Sequence, residues 1–312
     1  MTAIGEILVD FTPIVEEGRT VGFRMHPGGS PFNVAVALAR LGVPVEFAGK
    51  VSTDFFGRFL MDVLTREGVG TRFLRRSDAP TTLAFVALEG GEPSFAFYGA
   101  GAADTLLSAD ELPEDIVTSP VLHCGSISLL RGVTADTIVT LVARMRRTSF
   151  LSCDPNIRPS LVADPDEFRR TLRELFASSD VVKMSAADAS WIFPDRPLPG
   201  VASEVLGLGA AMAVITRGSR GASAWTAATP AEVGTPQVPV VDTVGAGDAF
   251  TAGLLYALDE LGATSRPALE GLTAASLHRV LRIASAAAAL TCTRAGADPP
   301  RRRELLDFLE AR

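Results

Sequence analysis

Residues 242–255 read Asp-Thr-Val-Gly-Ala-Gly-Asp-Ala-Phe-Thr-Ala-Gly-Leu-Leu. Glycines at 245 and 247 form a turn that opens directly onto an apolar helix, predicted from Ala249 to Leu261. Such a turn leaves backbone N–H groups unpaired at the positive end of the helix dipole, and those groups hold an anion, phosphate above all, without a lysine. Asp248 stands in the first helical turn, where an acid also serves as an ordinary helix cap. Two other phosphate motifs are excluded. A Walker A loop fails at Gly49-Lys50, because Pro44 stands where its first glycine belongs and Val51 replaces the Ser or Thr. The dinucleotide fingerprint fails because Phe250 stands where its third glycine belongs.

Outward from this turn, short β-like runs alternate with amphipathic helices, which predicts βαβ units and a mainly parallel sheet. The runs are Ile4–Val9, Val45–Ala48, Val121–Cys124, Phe150–Cys153, Asp180–Lys183 and Met212–Thr216. Between them, Phe56, Phe59, Leu60, Val63 and Leu64 recur at helical spacing, as do Ile138, Leu141, Val142 and Met145. Two segments break the alternation: Phe11–Met25, and Thr81–Tyr98 with a Glu-Gly-Gly-Glu-Pro turn at 89–93. Both read as β-strands added outside the main sheet. A second glycine site, Pro27-Gly-Gly-Ser-Pro-Phe-Asn33, leads into a helix that Gly42 ends. Gly28 and Gly29 let the backbone approach a ligand, and Asn33 offers donor and acceptor together; a plain loop-to-helix turn uses the same residues.

Composition narrows the function. With 29 basic against 36 acidic residues the net charge is -7, so the basic footprint of a nucleic-acid or anionic-membrane binder is missing. Cys124, Cys153 and Cys292 are odd in number and far apart, which fits neither a disulfide framework nor a zinc module. His26, His123 and His278 have no metal-ligand spacing, and His123 lies in an apolar run as a core histidine does. Glu6 and Asp10 stand where a signal peptide carries positive charge. No uncharged apolar run reaches membrane-spanning length, and a cytoplasmic protein is expected.

Taken together, Gly28–Gly42 and Asp242–Leu255 resemble the two signatures of the ribokinase-like (PfkB-type) carbohydrate kinase family, and the chain is most similar to its fructokinases. The resemblance extends through Gly5–Asp10, Asp154-Pro-Asn-Ile-Arg-Pro159, Thr216-Arg-Gly-Ser-Arg-Gly221 and Ala286–Ala297. It implies an α/β, three-layer sandwich: one kinase domain over 1–312, with a core of about 1–10, 26–77 and 103–312. A small β-sheet lid of about 11–25 and 78–102 completes it.

The resemblance also implies roles. Asp248 is the expected base, and the N–H groups of Gly245, Ala246, Gly247 and Asp248 the expected anion hole. Asp10, Gly28, Gly29 and Asn33 match positions that bind sugar hydroxyls, Phe97 would close the apolar side from the lid, and Arg158 would reach phosphates or substrate. Lid packing for Phe97 and a surface salt bridge for Arg158 stay open beside those roles. Lys183, Ser185, Thr216, Gly218 and Gly221 match nucleotide positions. Ser285 and Ala288 match the adenine slot, although the run Ala286–Ala289 equally suits helix–sheet packing. Asp188 would meet Mg2+ through water, and Asp242 with the carbonyls of Val244 and Gly296 would hold K+.

Two departures stand out: Ser185-Ala-Ala-Asp188 replaces the frequent Asn-x-x-Glu, and Gly99 follows Tyr98 where many fructokinases carry arginine. The expected activity is ATP- and Mg2+-dependent phosphorylation of fructose to fructose 6-phosphate. The alternatives are a 2-dehydro-3-deoxygluconate kinase, a ribokinase-type activity, or a non-catalytic sugar sensor. A homodimer through the lid is expected, with no nucleic-acid or membrane partner.

Overall fold

The computed structural model describes residues 1–89 and 92–312, and only the backbone of 86–89 and 92–95. The tip of the turn expected at 89–93 and the side chains of Val86 and Phe95 lie outside the described residues. The chain runs β1 (Thr2–Ile4), β2 (Leu8–Glu16), β3 (Arg19–Gly28), α1 (Ser30–Arg40), β4 (Glu46–Ser52), α2 (Phe55–Glu67), β5 (Leu74–Ser77), β6 (Leu83–Glu89) and β7 (Glu92–Tyr98). It continues through β8 (Val121–Gly125), α3 (Gly132–Met145), β9 (Phe150–Asp154), α4 (Pro165–Ser178), β10 (Val181–Ser185), α5 (Ala186–Ile192), α6 (Leu198–Leu208) and β11 (Met212–Thr216). Last come β12 (Ala222–Thr226), β13 (Pro230–Val233), α7 (Ala246–Glu260), α8 (Arg266–Glu270), α9 (Ala274–Thr291) and α10 (Arg302–Glu310).

Nine strands form one sheet in the order β13-β12-β11-β10-β9-β8-β1-β4-β5. All neighbours from β11 to β5 pair in parallel, while β12 and β13 are antiparallel. The strands bury both faces by the period of two. In β11, Met212 and Val214 join the apolar cluster beneath α1, α7 and α9, while Ala213 and Ile215 join the one beneath α3, α4 and α6. Helices thus cover both faces, the three-layer arrangement expected. The apolar spacing of α2 and α3 points inward as anticipated, with Leu60, Val63, Leu64, Ile138, Leu141, Val142 and Met145 all buried.

The chain builds β1, β4 and β5 outward in one direction, then crosses back to lay β8 on the other side of β1. In an open parallel sheet such a reversal leaves a crevice beyond the carboxyl ends of the two strands. Glu6 follows β1 there and Ser126 follows β8.

The expected strand Ile4–Val9 is two strands. β1 stops at Ile4, and the chain leaves the main sheet through Gly5–Ile7 to enter the smaller sheet at Leu8, because the Glu6 carboxylate turns inward to bind backbone and serine groups there. The smaller sheet has the order β3-β2-β6-β7. Its first hairpin runs beyond the expected 11–25, with Leu8 paired to Gly28 and Asp10 to His26, so Asp10 and His26 sit on the smaller sheet, while β6 and β7 fall inside the expected 78–102. Phe11, Phe23 and Phe85 pack ring on ring within it, with Phe11 and Phe85 stacked at 4.8 Å. Ile14, Val15, Val21, Phe23 and Tyr98 remain exposed on this sheet. Among the described residues, no helix is long and apolar enough to cross a membrane.

Candidate active site

Two cavities meet at the start of α7. The larger, about 610 Å³, fills the crevice between β1 and β8 beside the smaller sheet, and is lined by Glu6, Asp10, Gly29, Ser30, Asn33, Phe97, Asn156, Arg158 and Asp248, among others. The smaller, about 310 Å³, is an elongated groove from Thr216, Gly218 and Gly221 to Ser285, Ala288 and Cys292. Val240, Thr243 and Gly247 line both. A ligand in one cavity therefore faces a ligand in the other across the 243–247 turn.

That turn has the geometry its sequence implies. Gly245 is the N-cap of α7 at φ 75°, a left-handed conformation, and no side chain caps the helix. A Cβ on Gly245 would stand 2.5 Å from the Cβ of Ala297, so only glycine fits. The first N–H groups of α7 open onto the junction of the cavities, where the helix dipole favours negative charge. The helix begins at Ala246, three residues before the expected start, which places Asp248 inside its first turn.

Asp248 is 7% exposed. Its Oδ1 accepts from Ser30 Oγ at 2.6 Å and its Oδ2 from Asn33 Nδ2 at 2.8 Å. Burial pushes its carboxyl up to about 6, against the two hydrogen bonds and the Lys183 charge, while Asp154 adds to the rise. Ser30 and Asn33 open α1, whose N-cap is Gly29. Glu6 fixes this entry: it is 1% exposed, and it accepts from the Ser30 N–H at 2.9 Å and from Ser128 Oγ at 2.6 Å.

Asp10 projects from β2 into the larger cavity. Burial and the Asp248 charge push its carboxyl up to about 7, Arg158 acting against them. Gly28 does not line the cavity; a Cβ there would fall 2.1 Å from Asp10 Oδ2, so its part is to make room for that carboxylate. Phe97 both lines the cavity and packs against the small cluster of Leu8, Ala84 and Ile127. The Arg158 guanidinium lines the cavity from the loop after β9, where Nη1 donates to Asn156 Oδ1 at 2.7 Å.

The nucleotide-side expectations divide. Thr216, Gly218, Gly221, Ser285 and Ala288 line the groove together. Lys183, Ser185 and Asp188 line neither cavity. Lys183 Nζ pairs with Asp154 Oδ2 at 2.7 Å beneath the turn. Ser185 and Asp188 cap α5 reciprocally, and Asp188 Oδ1 also accepts from the Ile157 N–H at 2.9 Å, so its carboxylate props the loop carrying Arg158. Among the described residues no group of three or more His, Cys, Asp or Glu gathers to cage a metal, so Mg2+ here would depend on phosphate oxygens and water. The Asp242 loop fits a monovalent cation better. Asp242 accepts from the N–H groups of Val244 at 3.1 Å and Gly296 at 2.8 Å, which brings the two loops carrying those residues onto one carboxylate.

Sequence reasoning missed Ser30 and Glu6. The signal for Glu6 was present, a carboxylate inside the apolar run Ile-Gly-Glu-Ile-Leu-Val; Ser30 was hidden in the glycine motif it follows.

Comparison with known proteins places these features in one family. Residues 1–303 match the profile of the pfkB family carbohydrate kinases. The fructokinase of Rhizobium leguminosarum bv. trifolii is 36% identical over 254 residues, covering 81% of this chain and 78% of that protein. The crystal structure of a Xylella fastidiosa fructokinase with bound ATP superposes with a TM-score of 0.92 at 31% identity, over 100% of this chain and 98% of that one. A double-mutant fructokinase from Vibrio cholerae O395, in fructose, ADP and potassium ion bound form, superposes with a TM-score of 0.87 at 30% identity, over 99% and 97%.

The charge on Asp10 gives a test that needs no ligand. Its carboxyl holds a proton to about 7 in the folded chain against an ordinary value of 3.8, so between those values the unfolded chain releases its proton first and rising pH favours unfolding. Asp10→Asn removes that term. Its Tm should match the parent's near pH 4 and exceed it by roughly 3 °C or more at pH 8. Parallel Tm–pH curves would show that Asp10 ionises normally in the fold.

Proposed function

The chain belongs to the pfkB family of carbohydrate kinases, which transfer a phosphoryl group from ATP to a sugar hydroxyl, and from that premise we propose that it converts fructose to fructose 6-phosphate. The reading rests on Asp248, which lines the larger cavity next in sequence to Gly247, a residue that lines both cavities. Fructose occupies the larger cavity, its hydroxyls bound by Asp10, Asn33 and the Gly29 backbone and its apolar face covered by Phe97. ATP lies in the groove, with adenine against Ser285 and Ala288 and its phosphates toward Gly218 and the 243–247 turn.

In the transfer, the sugar 6-hydroxyl displaces Ser30 or Asn33 from the Asp248 carboxylate. The hydroxyl oxygen forms its bond to the γ-phosphorus as the bond to the bridging oxygen breaks, its proton passes to Asp248, and ADP leaves. A carboxyl near 6 is ionised at neutral pH yet basic enough to take that proton as the bond forms. The N–H groups of Gly245–Asp248 stabilise the charge on the moving phosphoryl, since such transfer is mostly positioning and electrostatics. Mg2+ bound to the ATP phosphates would supply charge neutralisation there, since no protein cage of carboxylates is present among the described residues. K+ would be held behind the turn by Asp242, Val244 and Gly296 and would order it.

The charge of the larger cavity favours a neutral sugar over a sugar acid. Glu6, Asp10 and Asp248 line it against Arg158, its one cation among the described lining residues. A carboxylate substrate such as 2-dehydro-3-deoxygluconate would meet net repulsion there. A sensor on this scaffold would have no use for the Asp248 carboxylate or the Gly245 turn, both of which are kept. The exposed lid residues Ile14, Val15, Val21 and Phe23 support a homodimer in which two lids cover each other, because a small sheet with an apolar outer face is marginal in water.

A coupled assay with ATP and Mg2+ across fructose, ribose and 2-dehydro-3-deoxygluconate should give fructose the highest kcat/KM. Asp248→Asn should lower kcat on it by ~100-fold or more while remaining folded. A higher kcat/KM on the sugar acid, or a near-parental Asp248→Asn, would overturn the substrate or the base. Replacing choline with potassium at equal ionic strength should raise the rate, and indifference would remove K+ from the site. Light scattering at micromolar concentration should give the mass of a dimer; a fully active monomer would end the lid-to-lid proposal.

A further inference from the structure

Lys183, one of only two lysines in the chain, is 4% exposed and points from β10 to the underside of the turn. Its Nζ lies 2.7 Å from Asp154 Oδ2 and 3.3 Å from the carbonyl oxygen of Gly247. Asp154 reaches α7 one turn further in, where Thr251 Oγ1 donates to its Oδ2 at 3.1 Å. The pair is therefore an oriented buried dipole, its ammonium beneath the anion turn and its carboxylate deeper along the helix. Burying two charges costs more than a plain core contact gains unless geometry and further hydrogen bonds offset it, so a buried pair is poor evidence of a purely stabilising role. Asp154 Oδ1, buried, has no hydrogen-bond partner, a further cost that packing alone does not explain.

We propose that Lys183, oriented by Asp154, is a positioning residue for phosphoryl transfer: without touching the nucleotide, it fixes the Gly247 peptide and the positive potential that the turn presents to the transferring group and to Asp248. Charge reaches Asp248 from three strands, as Asp154 on β9, Lys183 on β10 and Asp10 on β2, while α1 offers it the neutral Ser30 and Asn33. Lys183 is the cation in that set that favours the ionised base, and Asp154 opposes it. The effect on turnover rests on the kinase reading; the effects on ATP binding and on the Asp248 carboxyl do not.

The experiment compares the parent with Lys183→Arg, Lys183→Met and the double variant Asp154→Asn/Lys183→Met. ATP affinity is measured by calorimetry without sugar, the Asp248 carboxyl is titrated by 13C NMR, and kcat and KM are measured on the best sugar. Lys183→Met should bind ATP within ~3-fold of the parent, lose ~10-fold or more in kcat, and titrate Asp248 about one unit higher. The double variant should bring that midpoint back toward the parent's without restoring kcat, and Lys183→Arg should keep most of both. The double variant also carries the test if Lys183→Met does not fold, because it leaves no unpaired buried ion. A ~10-fold or greater loss of ATP affinity with the Asp248 midpoint unmoved would make Lys183 a direct phosphate ligand, and parental kcat and midpoint would make the pair merely structural. An inactive parent counts against the kinase reading alone, since binding and titration still decide this one.

Discussion

The hydrogen bonds from Ser30 and Asn33 to the Asp248 carboxylate join residues more than two hundred positions apart, and the site depends on them. They draw the N-terminus of α1 to the N-terminus of α7, so two helix dipoles present their positive ends around one buried acid. A carboxylate at 7% exposure without those partners would be strongly penalised. With them it stays ionisable and basic enough to accept a proton. The sequence separation explains why both glycine motifs are needed: Gly29 lets α1 begin at the cavity, and Gly245 lets α7 begin against Ala297.

The sheet sets where those helices begin. Because the chain reverses direction across β1 and β8, the crevice lies beyond Glu6 and Ser126, and Glu6 ties the two sides by binding Ser30 on α1 and Ser128 after β8. The smaller sheet then bounds the third side with residues that its own register puts there. Asp10 comes from β2 and Phe97 from β7, each directed inward by the alternation of an antiparallel strand.

What the sequence made legible had a local cause. The turn at 242–255, the apolar faces of α2 and α3, and the strand Met212–Thr216 each follow from residue spacing within one element. Elements whose identity depends on their neighbours were not legible in this way. The run Ile4–Val9 is continuously apolar, and nothing in its composition marks the point where it leaves one sheet for another. Strand β5, Leu-Arg-Arg-Ser, is an edge strand whose arginines hide it, and β12 and β13 pair antiparallel on an edge that βαβ alternation does not suggest. The same limit explains Lys183 and Asp188. Lys183 lies in β10 and Asp188 in the first turn of α5 just after it; Asp154 on the adjacent strand and the Ile157 N–H in the next loop take up these side chains, and residue type does not reveal such partners.

A crystal structure of this chain with fructose and a non-hydrolysable ATP analogue measures the central claim most directly, namely that transfer occurs across the 243–247 turn with Asp248 as proton acceptor. The account requires the sugar 6-hydroxyl within hydrogen-bond distance of Asp248, about 3 Å, and the γ-phosphate on the N–H groups of Gly245–Asp248, in line with that hydroxyl. Fructose bound with no hydroxyl near Asp248, or a γ-phosphate held away from the turn, would contradict it.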